Sequence, residues 1–244
     1  MSNQPPIEVP QGAIRLNTDS QRLEFFAQDR WYEFATDSPM LDSGARGVIA
    51  GNNPTSDVIQ FFTIPIQGNA IDFGDLSQNR FVGGSGSSRT RGIFMGGDPG
   101  PQARLDDIDF ITIASTGDAT DFGDVTVARR GAASASSNTR GVVAGGIDQP
   151  SAKNVIDFIT IATTGNATDF GDSIGSFPYR PTGNVCNLTR GVLVAGGPAA
   201  PFIGNIVEFI TIATTGNAQD FGDLFQTTND TGGACSDSHG GLAE

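Results

Sequence analysis

The chain has 244 residues, a formal net charge of −13, one histidine and two cysteines. The strong negative charge argues against binding to nucleic-acid phosphates or anionic lipid, because both ligands would repel the protein. The scarcity of histidine and cysteine leaves no residue set for nucleophilic hydrolysis or a metal centre, so we expect no enzyme and no cofactor.

The first 38 residues predict an extended arm and a small β-meander. Residues 1–11 are polar and contain three prolines, so they lack the apolar content to fold alone. Residues 12–38 contain three short strand-like runs, a meander too small to be stable by itself. Dense apolar side chains on so small an element predict burial against another surface. The residues that we assign to attachment or oligomerisation are Ile14, Leu16, Phe25, Phe26, Trp31, Tyr32 and Phe34. A meander packed on the protein's own repeat domain is the alternative.

Residues 39–45 predict a linker, and residues 46–244 predict four repeats. Successive repeats begin 45, 49 and 50 residues apart, at the Arg-Gly pairs of Arg46, Arg91, Arg140 and Arg190. A nearly constant period near 50 residues is typical of a repeat architecture, in which each repeat buries its apolar face against the next.

The third repeat shows what each repeat contains. Residues 141–144 predict a strand that ends at a glycine pair, and residues 155–162 predict a second strand with two apolar faces, covered on both sides. A turn at Thr164–Asn166 leads to a short third strand that reaches Asp172. The small residues 131–137 supply the fourth strand. Four antiparallel strands per repeat predict an all-β fold, with each repeat forming one blade of a four-bladed β-propeller.

The repeats resemble kelch blades. A Gly-Gly pair, a gap, an apolar strand, a Thr-Gly turn and a short closing strand follow one another as in a kelch-type blade, although the kelch tryptophan and Tyr-Asp pair are missing. Residues 139–142 and 158–172 resemble, more narrowly, repeats in virion and tail-fibre proteins of bacteriophages, especially cyanophages. That resemblance covers about residues 41–244. Residues 12–33 resemble a short module at the attachment ends of phage tail and fibre proteins.

This resemblance implies a non-enzymatic virion structural protein, a component of a phage tail or fibre. Its N-terminus is expected to dock to other virion proteins and to form a homo-oligomer, a trimer by analogy. Its propeller is expected to project towards a host-surface glycan or protein. The alternatives are a capsid or neck decoration or adaptor protein, a carbohydrate-binding propeller lectin and a cellular kelch-like scaffold. The sequence contains no apolar run of the about 20 residues that a membrane span needs, and no signal peptide, so we expect synthesis in the host cytoplasm and location in the virion.

The end of the chain predicts how the propeller closes. Residues 232–238 repeat the small-residue strand, whereas the first repeat has no good copy of it before Arg46. The C-terminal strand is therefore predicted to complete the first blade; ring closure across subunits is the alternative. Cys186 and Cys235 occupy one position of this strand and are predicted to be small core residues.

Two further sets of residues recur in every repeat. The four Arg-Gly arginines are predicted to form Arg–carboxylate forks between strands or blades, with anion binding as the alternative. The Asp-Phe-Gly-Asp stretch predicts a phenylalanine packed between blades and a glycine at a bend, with calcium binding by its acids as the alternative. The acids assigned to it are Asp121, Asp124, Asp169 and Asp172. Residues 98–104, 146–154 and 198–205 vary between repeats and are the first candidates for host contact.

Overall fold

The structure is a computed structural model. It describes residues 9–17, 22–28, 30–33, 46–51, 54–100, 103–148, 150–177, 185–194, 204–228 and 236. Every regular element in these residues is a β-strand, which confirms the all-β prediction. None of the described residues forms a helix of the length and apolar character that crossing a membrane requires. The chain divides into two domains, residues 1–41 and 42–244.

Several predicted features lie outside the described residues. They are most of the arm at 1–11, Phe34, the linker at 39–45, Cys235, most of the loop at 198–205, and the C-terminal strand except Ser236.

The N-terminal domain contains one three-stranded antiparallel sheet. Its strands follow the order of the chain: β1 (Ile14–Asn17), β2 (Arg22–Ala27) and β3 (Arg30–Glu33). Alternating aromatic and polar residues form these strands because side chains at every second position share one face of a sheet. Ile14 pairs with Phe25, and Phe25 pairs with Tyr32, so these three residues lie on the same face.

The second domain contains the four repeats. We now bound repeats 2 to 4 so that each includes the small-residue segment that precedes its Arg-Gly pair, and we number the repeats 1 to 4 (residues 46–79, 80–128, 129–177 and 185–228). The strands of repeats 1 and 2 are β4 (Arg46–Ala50), β5 (Ser56–Thr63), β6 (Ile71–Ser87), β7 (Arg91–Asp98), β8 (Leu105–Thr112) and β9 (Thr120–Asp124). Those of repeat 3 are β10 (Ala133–Ser136), β11 (Arg140–Ala144), β12 (Ile147–Asp148), β13 (Ser151–Thr160) and β14 (Thr168–Phe177). Repeat 4 contains β15 (Arg190–Val194), β16 (Gly204–Thr211) and β17 (Gln219–Thr228).

All neighbouring strands in these sheets are antiparallel. Repeats 1 and 2 share a six-stranded sheet in chain order, because β6 is 17 residues long and serves both repeats. Repeat 3 has the strand order β10-β11-β13-β14, with β12 also paired to β13. Repeat 4 has the order β15-β16-β17, and Cys186 adds an isolated bridge to Gly191 beside β15. All four strands that the sequence predicts for repeat 3 are therefore present.

The apolar cores lie between the repeats. One buried cluster joins Ile59 and Phe73 of repeat 1 to Phe94 and Ile111 of repeat 2. A second cluster joins repeats 2 and 3, and a third joins repeats 3 and 4. Among the described residues, repeats 2 and 3 therefore contribute to a core on either side, and repeats 1 and 4 to a core on one side. As in other repeat arrays, the contacts at the junctions decide how the domain is held together.

Candidate functional site

Each junction between successive repeats contains the same three hydrogen bonds, which we call the turn clasp. At the junction of repeats 2 and 3, the Gly165 amide donates to the Phe122 carbonyl and the Ala167 amide to the Asp124 carbonyl, both at 2.7 Å. In return, the Asp124 amide donates to Oδ1 of Asn166 at 3.2 Å. The corresponding distances are 2.7, 2.7 and 3.1 Å between repeats 1 and 2, and 2.8, 2.8 and 3.0 Å between repeats 3 and 4.

The turn clasp explains the repeated Asp-Phe-Gly stretch. Phe73, Phe122 and Phe170 are each only 3% exposed, which confirms for these three that the phenylalanine packs between repeats. The glycine that follows has a φ of +140° to +144°, and a Cβ on Gly171 would lie 2.6 Å from the carbonyl oxygen of Gly216. Glycine is required here because the backbone of the next repeat approaches so closely, as well as because of its own conformation.

The repeated arginines also join successive repeats, but through a backbone carbonyl. Nη1 of Arg46 donates to the Ile113 carbonyl at 2.7 Å, and Arg91 and Arg140 donate to the equivalent Ile161 and Ile212 carbonyls at 2.8 and 2.9 Å. Each guanidinium also stacks on a phenylalanine of its own repeat, at 4.4–4.7 Å from the ring centroid. The acceptor is a carbonyl rather than the predicted carboxylate, because each side chain reaches the residue that follows the end of a strand in the next repeat.

Arginine–carboxylate pairs do occur, but at positions that the sequence reading missed. Nη2 of Arg80 lies 2.6 Å from Oδ2 of Asp109, and Nη2 of Arg129 lies 2.6 Å from Oδ2 of Asp157. All four side chains are at most 1% exposed. Burial lowers the pKa of both arginines from the ordinary value, and the facing carboxylates oppose that shift. Such buried pairs are stable only because the carboxylate neutralises the charge of the arginine that faces it.

The buried carboxylates also reach across the junctions. Asp109 accepts hydrogen bonds from the Ser77 amide at 3.0 Å and the Ser77 hydroxyl at 2.8 Å, and Asp157 accepts the equivalent bonds from Thr126. Glu208 accepts one from the Ile174 amide at 2.7 Å. An acid repeated in the middle of an apolar strand was the signal in the sequence. The role of this acid could not be predicted, because the alternation of residues along a strand does not show which groups of another repeat face it.

Three of the four predicted acidic residues at the outer strands take part in hydrogen bonds with or through the backbone. Oδ1 of Asp121 accepts a hydrogen bond from the Gly123 amide at 3.1 Å, and Asp124 and Asp172 form the turn clasps. Asp169 lies opposite the buried Asp157 in the β13–β14 register. The described residues contain no group of three or more acidic, histidine or cysteine side chains placed to hold a metal ion. Burial, and then the charges of Asp106, Asp107 and Asp121, raise the pKa of Asp124.

The described residues of two variable loops form contacts with the rest of the repeat domain. In the loop at 98–104, the Asp98 carboxylate lies 3.4 Å from Nη1 of Arg104 and 2.6 Å from Nη1 of Arg130 in the next repeat. The loop at 146–154 is largely a hairpin, because β12 pairs with the start of β13. The described residues of both segments are therefore held by contacts within the repeat domain.

The predicted attachment residues divide between the two faces of the N-terminal sheet. Phe26 and Trp31 lie on one face, where their rings meet edge to face with centroids 5.3 Å apart. The Arg15 guanidinium lies 4.1 Å from the Trp31 ring centroid. The other face carries Ile14, Leu16, Phe25 and Tyr32. On that face Phe25 stacks on Tyr32, with the ring centroids 5.5 Å apart.

The side chains of β1 on this second face are open to solvent. Ile14 is 64% exposed and Leu16 is 60% exposed. This apolar face, not the whole set of predicted residues, is the candidate attachment surface.

The small-residue strands of successive repeats lie side by side. The Ser85 and Ser87 amides donate to the Ser134 and Ser136 hydroxyls at 3.3 and 3.4 Å. Sγ of Cys186 lies 3.5 Å from the Ser136 carbonyl, and the Ser236 hydroxyl donates to the Cys186 carbonyl at 2.9 Å. Cys186 is 4% exposed, which confirms that it is a core residue, and burial raises the pKa of its thiol.

Comparison with known proteins bears on the fold. No family model matches the sequence, and no curated protein matches it. The fold is similar to a solved structure titled "Structure of YjhT", with a TM-score of 0.58 at 10% sequence identity. The match covers 74% of this chain and 63% of that chain, so this chain spans less than two thirds of its length. At such an identity the similarity concerns the fold alone, and it supports the all-β arrangement.

Proposed function

We propose that the protein is a non-enzymatic structural subunit of a bacteriophage particle, in the tail or a fibre. The N-terminal sheet attaches it to other particle proteins, and the repeat domain presents a surface to the host. The observation that carries this proposal is the exposed apolar face with Ile14 and Leu16 on a sheet of only three strands. Full burial of such a side chain against a partner contributes about 1.5–3 kcal/mol, enough across several copies to hold a subunit in place.

The finer architecture belongs to the same proposal: the four repeats are blades of a propeller, and residues 232–236 supply the small-residue strand that repeat 1 lacks. The hydrogen bond from Ser236 to Cys186 supports it, because the same step of about 50 residues relates Cys186 to Ser136. A cleft of ≈ 280 Å³ between β4 and the second half of β6 offers room for such a strand beside repeat 1.

The pattern of charges supports the same placement. Repeats 2, 3 and 4 have a buried acid in the middle strand, and repeat 1 has the neutral Gln60 there. In repeats 2 and 3 the arginine that faces the acid immediately precedes the small-residue strand. Residues 229–236 contain no arginine, so a strand from this segment fits the one repeat that has no acid to neutralise.

The attachment proposal is tested with the full chain. Ile14→Asp with Leu16→Asp should leave the repeat domain folded, because both side chains are exposed, and should abolish incorporation into particles. Incorporation is measured as the amount of the protein in purified particles from a host that supplies only the variant. Ser151→Asp, at an exposed position of the repeat domain, is the matched control and should incorporate normally. Normal incorporation of the double variant would refute the attachment surface.

A further inference from the structure

We infer that the attachment surface of the N-terminal sheet recognises a carboxylate of its partner through Arg30. The partner is another particle protein that has an apolar surface with an aspartate or glutamate at its rim. This contact depends on the proposed attachment through Ile14 and Leu16, and Arg30 adds specificity to it.

Arg30 lies at a corner of the attachment surface. It is the first residue of β3, an outer strand of the three-stranded sheet, and it is exposed. The register pairs it with Ala27, two residues from the Phe25–Tyr32 pair, so it shares the face of those residues. Arg30 is the one charged residue among the strand positions on this face, which are Ile14, Leu16, Leu23, Phe25, Ala27, Arg30 and Tyr32. The attachment surface is therefore apolar, with one positive charge at its edge.

Contacts with Tyr32 hold the Arg30 guanidinium in place. Nε of Arg30 donates to the Tyr32 hydroxyl at 2.7 Å, and the guanidinium lies 4.9 Å from the Tyr32 ring centroid. The Tyr32 hydroxyl in turn donates to Oε1 of Gln28 at 3.0 Å. Because Nε is engaged, the two Nη groups remain for a partner. A guanidinium that is held before binding loses little conformational entropy when the partner binds.

Arg15, on the opposite face, is neutralised by its own sheet. Its Nε lies 2.7 Å from Oε2 of Glu24. Among the described residues, by contrast, no carboxylate lies within ion-pair distance of Arg30, whose contacts are those with Tyr32. The positive charge that its own sheet does not neutralise is thus on the face that attachment buries.

Burial of the attachment surface makes a carboxylate necessary. Contact with the partner removes water from Arg30, and a guanidinium that is buried without an acceptor is destabilising. A carboxylate restores the hydrogen bonds and neutralises the charge, because its two oxygens match two parallel N–H donors of a guanidinium. A carbonyl or a hydroxyl would accept a bond but leave the positive charge unmatched.

Binding of the purified full chain to particles that lack it measures the contribution of Arg30. Such particles come from a host that does not supply the protein. Arg30→Gln should weaken binding about tenfold or more at about 50 mM sodium chloride, because it removes a charge-assisted hydrogen bond. The difference from the wild type should shrink at about 500 mM, because salt screens charges at the rim of a contact. Equal affinities of the two proteins at low salt would contradict the inference.

Arg22→Gln is the matched control. Arg22 pairs with Asn17 and lies on the opposite face of the same sheet, so this variant should bind like the wild type. Ile14→Asp with Leu16→Asp, in the same assay, reports on the attachment surface as a whole. If this double variant fails to bind and Arg30→Gln binds normally, the attachment stands and the carboxylate contact is wrong. If the double variant binds normally, both are wrong.

Carbodiimide coupling identifies the acceptor directly. This reagent joins an amine to a carboxylate that it contacts, and the chain has one lysine, Lys153. In a Lys153→Arg background, Arg30→Lys introduces an amine and keeps the positive charge. Treated particles should then contain a product in which this chain is joined to another particle protein. Arg22→Lys in the same background should give no such product.

Coupling through the N-terminal amine is measured with Lys153→Arg alone and subtracted. No remaining product from particles that contain normal amounts of the Arg30→Lys variant would overturn the inference. An equal product from Arg22→Lys, or a product that joins two copies of this chain, would also overturn it. If the Arg30→Lys variant is not incorporated, the affinity of Arg30→Gln and its salt dependence decide.

Discussion

At the scale of single residues, the junctions depend on a small number of polar side chains whose partners lie in another repeat. The buried acids accept hydrogen bonds from the preceding repeat, and the arginines of the Arg-Gly pairs donate to the following one. A polar group buried without its partner costs more than the hydrogen bond itself is worth. Each of these side chains therefore has a larger effect on stability than its single bond suggests.

The first prediction concerns the buried pair of Arg129 and Asp157. Arg129→Ala should lower the free energy of unfolding by about 3–5 kcal/mol, because Asp157 would be left as an uncompensated buried charge. Chemical denaturation at pH 7 measures the change. Arg129→Met combined with Asp157→Gln, the residue type that repeat 1 has at this position, should recover at least half of the loss. Equal losses for the single and double variants would show that charge matching is not the cause.

The second prediction compares two repeated arginines. Arg140→Ala removes a hydrogen bond to the Ile212 carbonyl and a stacking contact with Phe158, and should cost about 1–2 kcal/mol. Among the described residues, Arg190→Ala removes only the stacking contact with Phe209, and it should cost about 0.5–1 kcal/mol. Chemical denaturation, at a protein concentration low enough to dissociate any oligomer, measures the loss of stability in both variants. If Arg190→Ala costs as much as Arg140→Ala, the carbonyl bond contributes nothing.

The third prediction concerns pH and Asp124. The pKa of this carboxyl is raised in the folded protein, first by burial and then by three neighbouring aspartates. The folded chain therefore binds this proton more tightly than the unfolded chain does. This contribution to the free energy of unfolding falls as the pH rises through the range of the carboxyl and stays low at pH 7.

Asp124→Asn keeps the backbone clasp and removes that pH dependence. Its melting temperature should exceed that of the wild type at pH 7, and the difference should vanish near pH 3, where the carboxyl is protonated. A difference that is the same at both pH values would rule out the charge of Asp124 as its source.

At the scale of strands and turns, the period of the sequence was enough to predict the repeats and the strands of repeat 3. A local pattern specifies strands because alternation and glycine pairs act within a few residues. It did not identify Asp109 and Asp157 as buried, since an acid in an apolar strand is explained only by Arg80 and Arg129 about 30 residues away. The partner of the repeated arginines was mistaken for the same reason: a carbonyl at the end of a neighbouring strand leaves no mark in the sequence.

The fourth prediction tests the close approach in the turn clasp. Gly171→Ala introduces a Cβ 2.6 Å from the Gly216 backbone and should separate repeats 3 and 4, with a large loss of stability. Gly222→Ala has the same positive φ but open space around it, so only backbone strain of about 1–3 kcal/mol applies. The free energy of unfolding of both variants is measured at a protein concentration low enough to dissociate any oligomer. Equal losses would mean that strain, not the approach of the next repeat, fixes glycine here.

At the scale of the whole molecule, the exposed large apolar side chains of the described residues lie mostly in strand β1, repeat 1 and repeat 4. Among the described residues, repeats 2 and 3 expose only Phe81 and Ile174 of their large apolar side chains. Repeat 1, repeat 4 and strand β1 carry most of the rest. The middle repeats thus bury more of their apolar side chains than repeats 1 and 4 do. The sequence predicted the apolar N-terminal sheet, but the unequal burial of equivalent positions could be recognised only from the structure.

The last prediction concerns the end of the chain. Deletion of residues 232–244 removes the Ser236–Cys186 hydrogen bond and the segment proposed to complete repeat 1. A strand edge left bare loses a row of backbone hydrogen bonds, each worth about 1 kcal/mol net, so the repeat domain should lose several kcal/mol of stability. Ser236→Ala is the matched control: it removes one side-chain bond and should cost only about 1 kcal/mol. Circular dichroism during chemical denaturation measures both. If the truncated chain unfolds like the wild type, the C-terminal segment completes no blade, and repeat 1 must be stable with the three strands that β4, β5 and β6 provide.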